Sequence, residues 1–177
     1  MIKVQKPTKE DIKGIQQVFY KTWLATYPNE EVGVTREDIK ERFKYSLSEN
    51  ALSKRANEIL DKSLDQLFIV AKDEAFVVGV CKVKKNKNYN ELEAIYVLPD
   101  YQGKGIGKIL WNSAKGFFGN KQNIIVSVAT YNQQAINFYQ KIGFVDTGKR
   151  FAKEKYRMPL SKTLVPEMEM MIDAKNL

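Results

Sequence analysis

Apolar residues follow two different periods along the chain. From residue 12 onward they recur at helical spacing: Ile12, Ile15, Phe19 and Trp23 on one face, then Ile39, Phe43 and Leu47, then Leu52, Ile59, Leu60 and Leu64. Thr8 with Asp11, and Thr35 with Asp38, have the spacing of helix-start capping pairs. Pro28 predicts that the first helix stops at about residues 26–28, because the residue before a proline resists helical geometry. Residues 2–5 read as a short strand ahead of Pro7. At Leu67 the period changes. Residues 68–70 and 76–78 flank the polar turn Lys72-Asp73-Glu74 and predict a hairpin, and residues 92–98 predict a third strand. Ile106, Leu110, Ala114 and Phe117 mark a helix, residues 123–129 a strand, and 133–142 a short helix that Gly143 stops. Residues 144–147 and 165–172 are extended. Helices and hairpins mixed along one chain, without a repeat or linker, predict one α/β domain over residues 1–177 whose sheet is not all-parallel.

Composition narrows the chemistry. A chain of 177 residues can bury a core without disulfides or metals. No apolar run approaches the roughly 20 residues that cross a bilayer, and the N-terminus lacks the apolar stretch of a secretion signal, so a cytoplasmic protein is expected. Cys81 is the only cysteine and sits in an apolar run, which predicts a buried, inert thiol. There is no histidine. That excludes Ser-His-Asp and Cys-His mechanisms and, with one cysteine, leaves no zinc or copper site. The net charge of +8 suits a soluble surface, an anionic cofactor or nucleic acid. Because the lysines are scattered, and Lys82, Lys84, Lys85 and Lys87 fall among Asn86, Asn88 and Asn90, a solvated loop is expected rather than a nucleic-acid face.

The segment Tyr101-Gln102-Gly103-Lys104-Gly105-Ile106-Gly107-Lys108 carries the strongest chemical signal. Alternate glycines at a helix start can aim successive N–H groups at a phosphate, or can merely relieve crowding in a tight strand-to-helix connection. A magnesium-holding P-loop is excluded because Gly107-Lys108 is followed by Ile109 rather than Ser or Thr. A dinucleotide fingerprint is excluded by glycine spacing, and no acidic ribose partner lies near Asn123.

Gln102, Gly105 and Gly107 match the Gln/Arg-x-x-Gly-x-Gly/Ala signature of the GNAT superfamily of N-acetyltransferases, which the chain resembles. Residues 92–99 resemble the strand before that loop. Asn132, Ala135, Phe138, Tyr139, Gly143 and Phe144 resemble the superfamily's second block. The resemblance is strong over about residues 68–144 and implies a mixed sheet, splayed in the middle and flanked by helices, that binds acetyl-coenzyme A in the opening. It implies that the backbone of Gln102, Gly103, Lys104, Gly105, Ile106, Gly107 and Lys108 holds pyrophosphate. Ile95, Tyr96 and Val97 would hold the pantetheine arm and polarise the thioester, and Asn132 would contact the arm.

Acetyl transfer to an amine requires a deprotonated amine, a stabilised oxyanion and a proton for the departing thiolate. N–H groups near Ile95 to Val97 can serve the oxyanion if a bulge leaves them unpaired. Tyr139 matches the family's acid position; its other reading is a packing residue beside Phe138 and Ile136. Glu93 is the expected base, acting through water, with Glu91 on the same face of a regular strand; solvent-exposed carboxylates are the alternative. Trp23, Tyr27, Glu30 and Glu31 form the candidate acceptor cluster, since aromatic faces and carboxylates suit a cationic amine; core packing is the stronger reading of Trp23, and a solvated turn that of the two glutamates. Residues 22–27 look like the PaiA-type branch, associated with polyamine acetylation. Other small amines or a protein N-terminus remain alternative acceptors, and a coenzyme A-binding regulatory module is the non-catalytic rival.

Overall fold

The computed structural model describes residues 1–60, 63–119 and 121–176. Its strands are β1 (Ile2–Gln5), β2 (Gln66–Asp73), β3 (Phe76–Lys85), β4 (Asn90–Val97), β5 (Ile124–Ala129), β6 (Val145–Phe151) and β7 (Glu167–Ile172). They form one sheet in the spatial order β1-β2-β3-β4-β5-β7-β6. Helices α1 (Ile12–Thr26), α2 (Arg36–Phe43) and α3 (Glu49–Leu60) precede the second strand; α4 (Ile106–Lys115) follows β4 and α5 (Gln133–Lys141) follows β5.

Local chemistry explains the helix starts. Asp11 accepts from the Thr8 N–H at 2.9 Å, and Asp38 from the Thr35 N–H at 3.0 Å while the Asp38 N–H donates to Thr35 Oγ1. Asp38 does more than cap, for its other oxygen accepts the N–H groups of Leu160 and Ser161, each at 2.9 Å. That fastens the loop before β7 to α2. Burial alone would raise the Asp38 carboxyl, but these N–H donors outweigh it and hold its pKa well below the carboxylate range.

The apolar faces close three clusters. Leu110, Trp111 and Ala114 of α4 and Ile136 and Tyr139 of α5 pack on one face of the sheet with Leu92, Val126 and Met170. On the other face, Ile15 and Val18 of α1 and Ile59 of α3 cover Val70, Val77 and Val80. Trp23, Ile39, Ala129 and Met158 seal the end beside α2. Cys81 lies fully inside the first cluster, where burial pushes its thiol up.

Several expected details are corrected. Leu47 lies beyond α2 and Leu64 beyond α3, and both are exposed, as is Leu60 at the helix end; the apolar spacing ran past the residues that reach the core. Lys72 and Asp73 belong to β2, so the turn reduces to Glu74 and Ala75. Lys82, Lys84 and Lys85 belong to β3, and of the four grouped lysines Lys87 alone lies in the following loop. Strand β6 continues past residue 147 to Phe151.

Two irregularities interrupt the sheet at β4. Lys82 pairs with Ala94 and Val83 with Leu92, which leaves Glu93 as an extra residue in β4 and makes a bulge there. Strands β4 and β5 run parallel but pair only at Asn90↔Ile124 and Glu91↔Ile125, then diverge.

Candidate active site

The divergence of β4 from β5 opens a cleft of about 420 Å³ whose lining runs from the start of α4, past the C-terminal half of β4, to α5 and the end of α1. Backbone polarity follows from strand alternation. The Leu98 N–H donates to Val78 O on the β3 side at 2.9 Å, whereas Val97 O faces the other way and accepts from Gln102 Nε2 at 2.9 Å. The N–H groups of Val97 and, two residues back, Ile95 therefore point into the cleft, where β5 is too far away to pair with them. Tyr96, between them, turns its side chain toward α1 and meets Phe19 edge-on at 5.3 Å. Burial pushes its phenol up to about 12.

The glycine loop forms the outer end. Gly103 and Gly105 adopt φ of +74° and +77°, conformations that cost an ordinary residue about 1–2 kcal/mol. Gly105 directly precedes α4, so the loop delivers the chain to the helix with its first N–H groups free and the positive end of the dipole behind them. Gly107 has a different reason: a Cβ there would stand 3.1 Å from the Phe138 ring, so its absence lets α4 lie against α5. Gln102, Gly103, Gly105, Ile106, Gly107 and Lys108 line the cleft, and Lys141 of α5 adds a second cation that the sequence did not single out. Lys104 does not line it. Its Nζ turns back to Asp100 O at 2.9 Å and over the Tyr101 ring, so only its backbone remains for a phosphate. Gln102 is likewise engaged within the protein: its N–H donates to Pro99 O at 3.1 Å, so its backbone does not offer the expected phosphate donor, and its side chain donates to Val97 O and accepts from Gln134 Nε2 at 3.0 Å. An anion with a long flexible arm fits this arrangement: N–H donors and lysines at one end, an apolar slot with free strand N–H groups beyond.

At the inner end stands Tyr139, 7% exposed between Phe138 and Phe144. Burial pushes its phenol well above the ordinary tyrosine value, with Tyr96 and Cys81 adding to the effect. It thus keeps its proton until a stronger base arrives. Asn132 caps α5, its Oδ1 accepting the Ala135 N–H at 3.1 Å, and lines the cleft. Glu93 lines it too, but it is not the free carboxylate of a regular strand. It sits on the bulge, 2.7 Å from Lys82 Nζ, which also holds Glu58 of α3 at 2.7 Å. Burial would lower the Lys82 ammonium, but the two carboxylates outweigh it and raise it.

The expected acceptor cluster divides. Tyr27 lines the cleft, and burial raises its phenol. Trp23 lies behind it as a packing residue, 7% exposed, stacked on Tyr27 at 4.3 Å and capped by Arg42. Glu30 and Glu31 are exposed in the tight turn closed by the Asn29↔Val34 bridge and do not line the cleft. Thr22 and Thr26 of α1 and Ser127 and Ala129 of β5 complete the inner wall; Thr22 and Thr26 fall in the PaiA-like stretch of residues 22–27, but none of the four was singled out as a site residue.

Comparison with known proteins places the chain among acetyltransferases. The model of the acetyltransferase (GNAT) domain matches residues 15–161. The spermidine N(1)-acetyltransferase of Thermoplasma acidophilum is 31% identical over 164 residues, covering 87% of this chain and 96% of that one. The peptidyl-lysine N-acetyltransferase YjaB of Escherichia coli is 33% identical over 58 residues, 33% of this chain and 37% of that one. Among solved structures, the PaiA N-acetyltransferase of T. acidophilum in complex with coenzyme A superposes with a TM-score of 0.70 at 24% identity, over 98% of this chain and 99% of that one.

Proposed function

Because the chain belongs to the GNAT family of acetyltransferases, we propose that it acetylates a primary amine of a polyamine such as spermidine or spermine. It is an acetyl-coenzyme A-dependent N-acetyltransferase. The likeness to a spermidine N(1)-acetyltransferase over nearly the whole of both chains is the observation that carries the polyamine assignment.

The bound acetyl-coenzyme A supplies the thioester, and the chain's own residues do the rest. The loop N–H groups from Gly103 to Lys108, with Lys108 and Lys141 at the rim, hold the pyrophosphate end by charge and by the α4 dipole. The N–H groups of Ile95 and Val97 donate to the oxygen on which negative charge gathers as the amine attacks; fixed donors in a site shielded from water are the strongest lever available to such a reaction. Tyr139 keeps a proton at its hydroxyl and gives it to the departing sulfur. Glu93, fixed by Lys82, accepts the amine's proton through water. Asn132 holds the mouth of α5 against the arm.

A screen of acetyl-coenzyme A with spermidine, spermine and a peptide bearing a free N-terminus tests the acceptor. Spermidine and spermine should turn over with kcat/KM at least about tenfold above the peptide. Preference for the peptide would exclude the polyamine assignment and leave the acetyltransferase intact.

A further inference from the structure

Glu167 opens β7, and it is only 6% exposed. A carboxylate removed from water needs close partners. Its Oε2 has no hydrogen-bond partner among the described residues, and Lys153 Nζ stands 3.9 Å away, beyond hydrogen-bond range. The short bond of Lys153, at 2.9 Å, goes instead to Ser127 Oγ. Glu167 pairs in register with Ala129 of β5, and register partners project from the same face. Ala129 and Ser127 both line the inner wall of the cleft. Burial is the main cause that raises the phenols of Tyr27, Tyr96 and Tyr131, and the nearby Glu167 carboxylate adds to it; Tyr27 and Tyr96 line the cleft, and the Tyr131 hydroxyl donates to Tyr27 O. A loosely paired carboxylate beside three tyrosines offers both charge and aromatic faces to a cation.

We propose that Glu167, which stands just behind the inner wall of the cleft rather than in its lining, seats an ammonium group of the acceptor there, and that Lys153 is the resident cation which the acceptor displaces. This rests on the polyamine reading. Glu93 and Glu58 are already bonded to Lys82 at 2.7 Å, whereas Glu167 holds its lysine at a distance. An acceptor with two or more ammonium groups can present one nitrogen to the thioester and another to Glu167; a monoamine cannot do both.

The test compares wild type, Glu167→Gln and Lys153→Ala, measuring KM and kcat for spermidine and for butylamine, spermidine affinity by calorimetry, and thermal stability. Glu167→Gln keeps the side chain's size and removes its charge. It should raise the spermidine KM and Kd by about tenfold or more, the usual weight of a charge-assisted contact, with kcat for spermidine, KM for butylamine and melting temperature little changed. Lys153→Ala should shift spermidine affinity the opposite way. Wild-type spermidine affinity in Glu167→Gln overturns the proposal, as does equal weakening for butylamine or weaker spermidine binding in Lys153→Ala. If wild type binds spermidine through Glu167 without acetylating it, the polyamine reading fails and the cation seat stands. A wild type that neither binds nor acetylates spermidine overturns both.

Discussion

Tyr139 carries its proton in a setting that disfavours the phenolate, and one oxygen separates its two roles. Tyr139→Phe preserves the ring contacts with Phe138 and Phe144. Turnover at saturating substrates should fall by about 10²-fold or more, the common scale for a positioned proton donor, while the melting temperature and coenzyme A affinity stay close to wild type. Since burial raises the Tyr139 phenol, loss of its proton should not limit the rate below about pH 10, the ordinary tyrosine value. Unaltered turnover in a folded Tyr139→Phe enzyme would remove it from the mechanism. Asp38 makes the complementary case for stability. Its folded pKa lies below the unfolded one, so its contribution is complete above about pH 4 and disappears as pH falls toward the folded value. Asp38→Asn should cost about 2 kcal/mol at neutral pH by mismatching N–H donors it now accepts. The difference should narrow in urea titrations carried from about pH 5 down to pH 2; a constant difference would assign the loss to packing.

At the scale of elements, the loop before α4 offers a controlled comparison. Open space surrounds a Cβ built on Gly105, and its positive φ is tolerated by Asn and Asp better than by most residues. Gly105→Asn and Gly105→Asp should therefore both fold, with similar bulk at the loop. The melting-temperature rise caused by coenzyme A should persist in part for Asn and be lost for Asp, whose charge faces the pyrophosphate; equal shifts in the two variants would relocate the phosphate site. Much of this element was legible in the chain itself, because glycine spacing, capping pairs and a change from helical to alternating period are all local signals. The bulge was foreseen only as a condition for free N–H groups, and its position on Glu93 depends on how β4 registers with β3. The ion pair of Lys82 with Glu58 and Glu93 joins three elements, so a lysine that reads as a loop residue becomes a structural cation. Glu167 escaped notice for the same reason: its burial is set by pairing with β5 and by the loop carrying Lys153, not by its neighbours in sequence.

Across the whole molecule, β4 and β5 share only two register pairs, while β2–β3, β3–β4 and β5–β7 are paired along most of their length. The sheet is thus two well-knit leaves, β1–β4 and β5–β7–β6, joined at a narrow seam. On the proposed reading, an arm lying in the gap would take the place of a missing strand and bond to amides that otherwise meet solvent. Deuterium should accordingly enter the Ile95 and Val97 amides quickly in the free protein and slowly once coenzyme A is bound, whereas the Leu98 amide, already bonded to Val78, should change little. Mechanical load applied across the sheet would find the same line: the unliganded protein should part first between the leaves, and ligand should raise the force required.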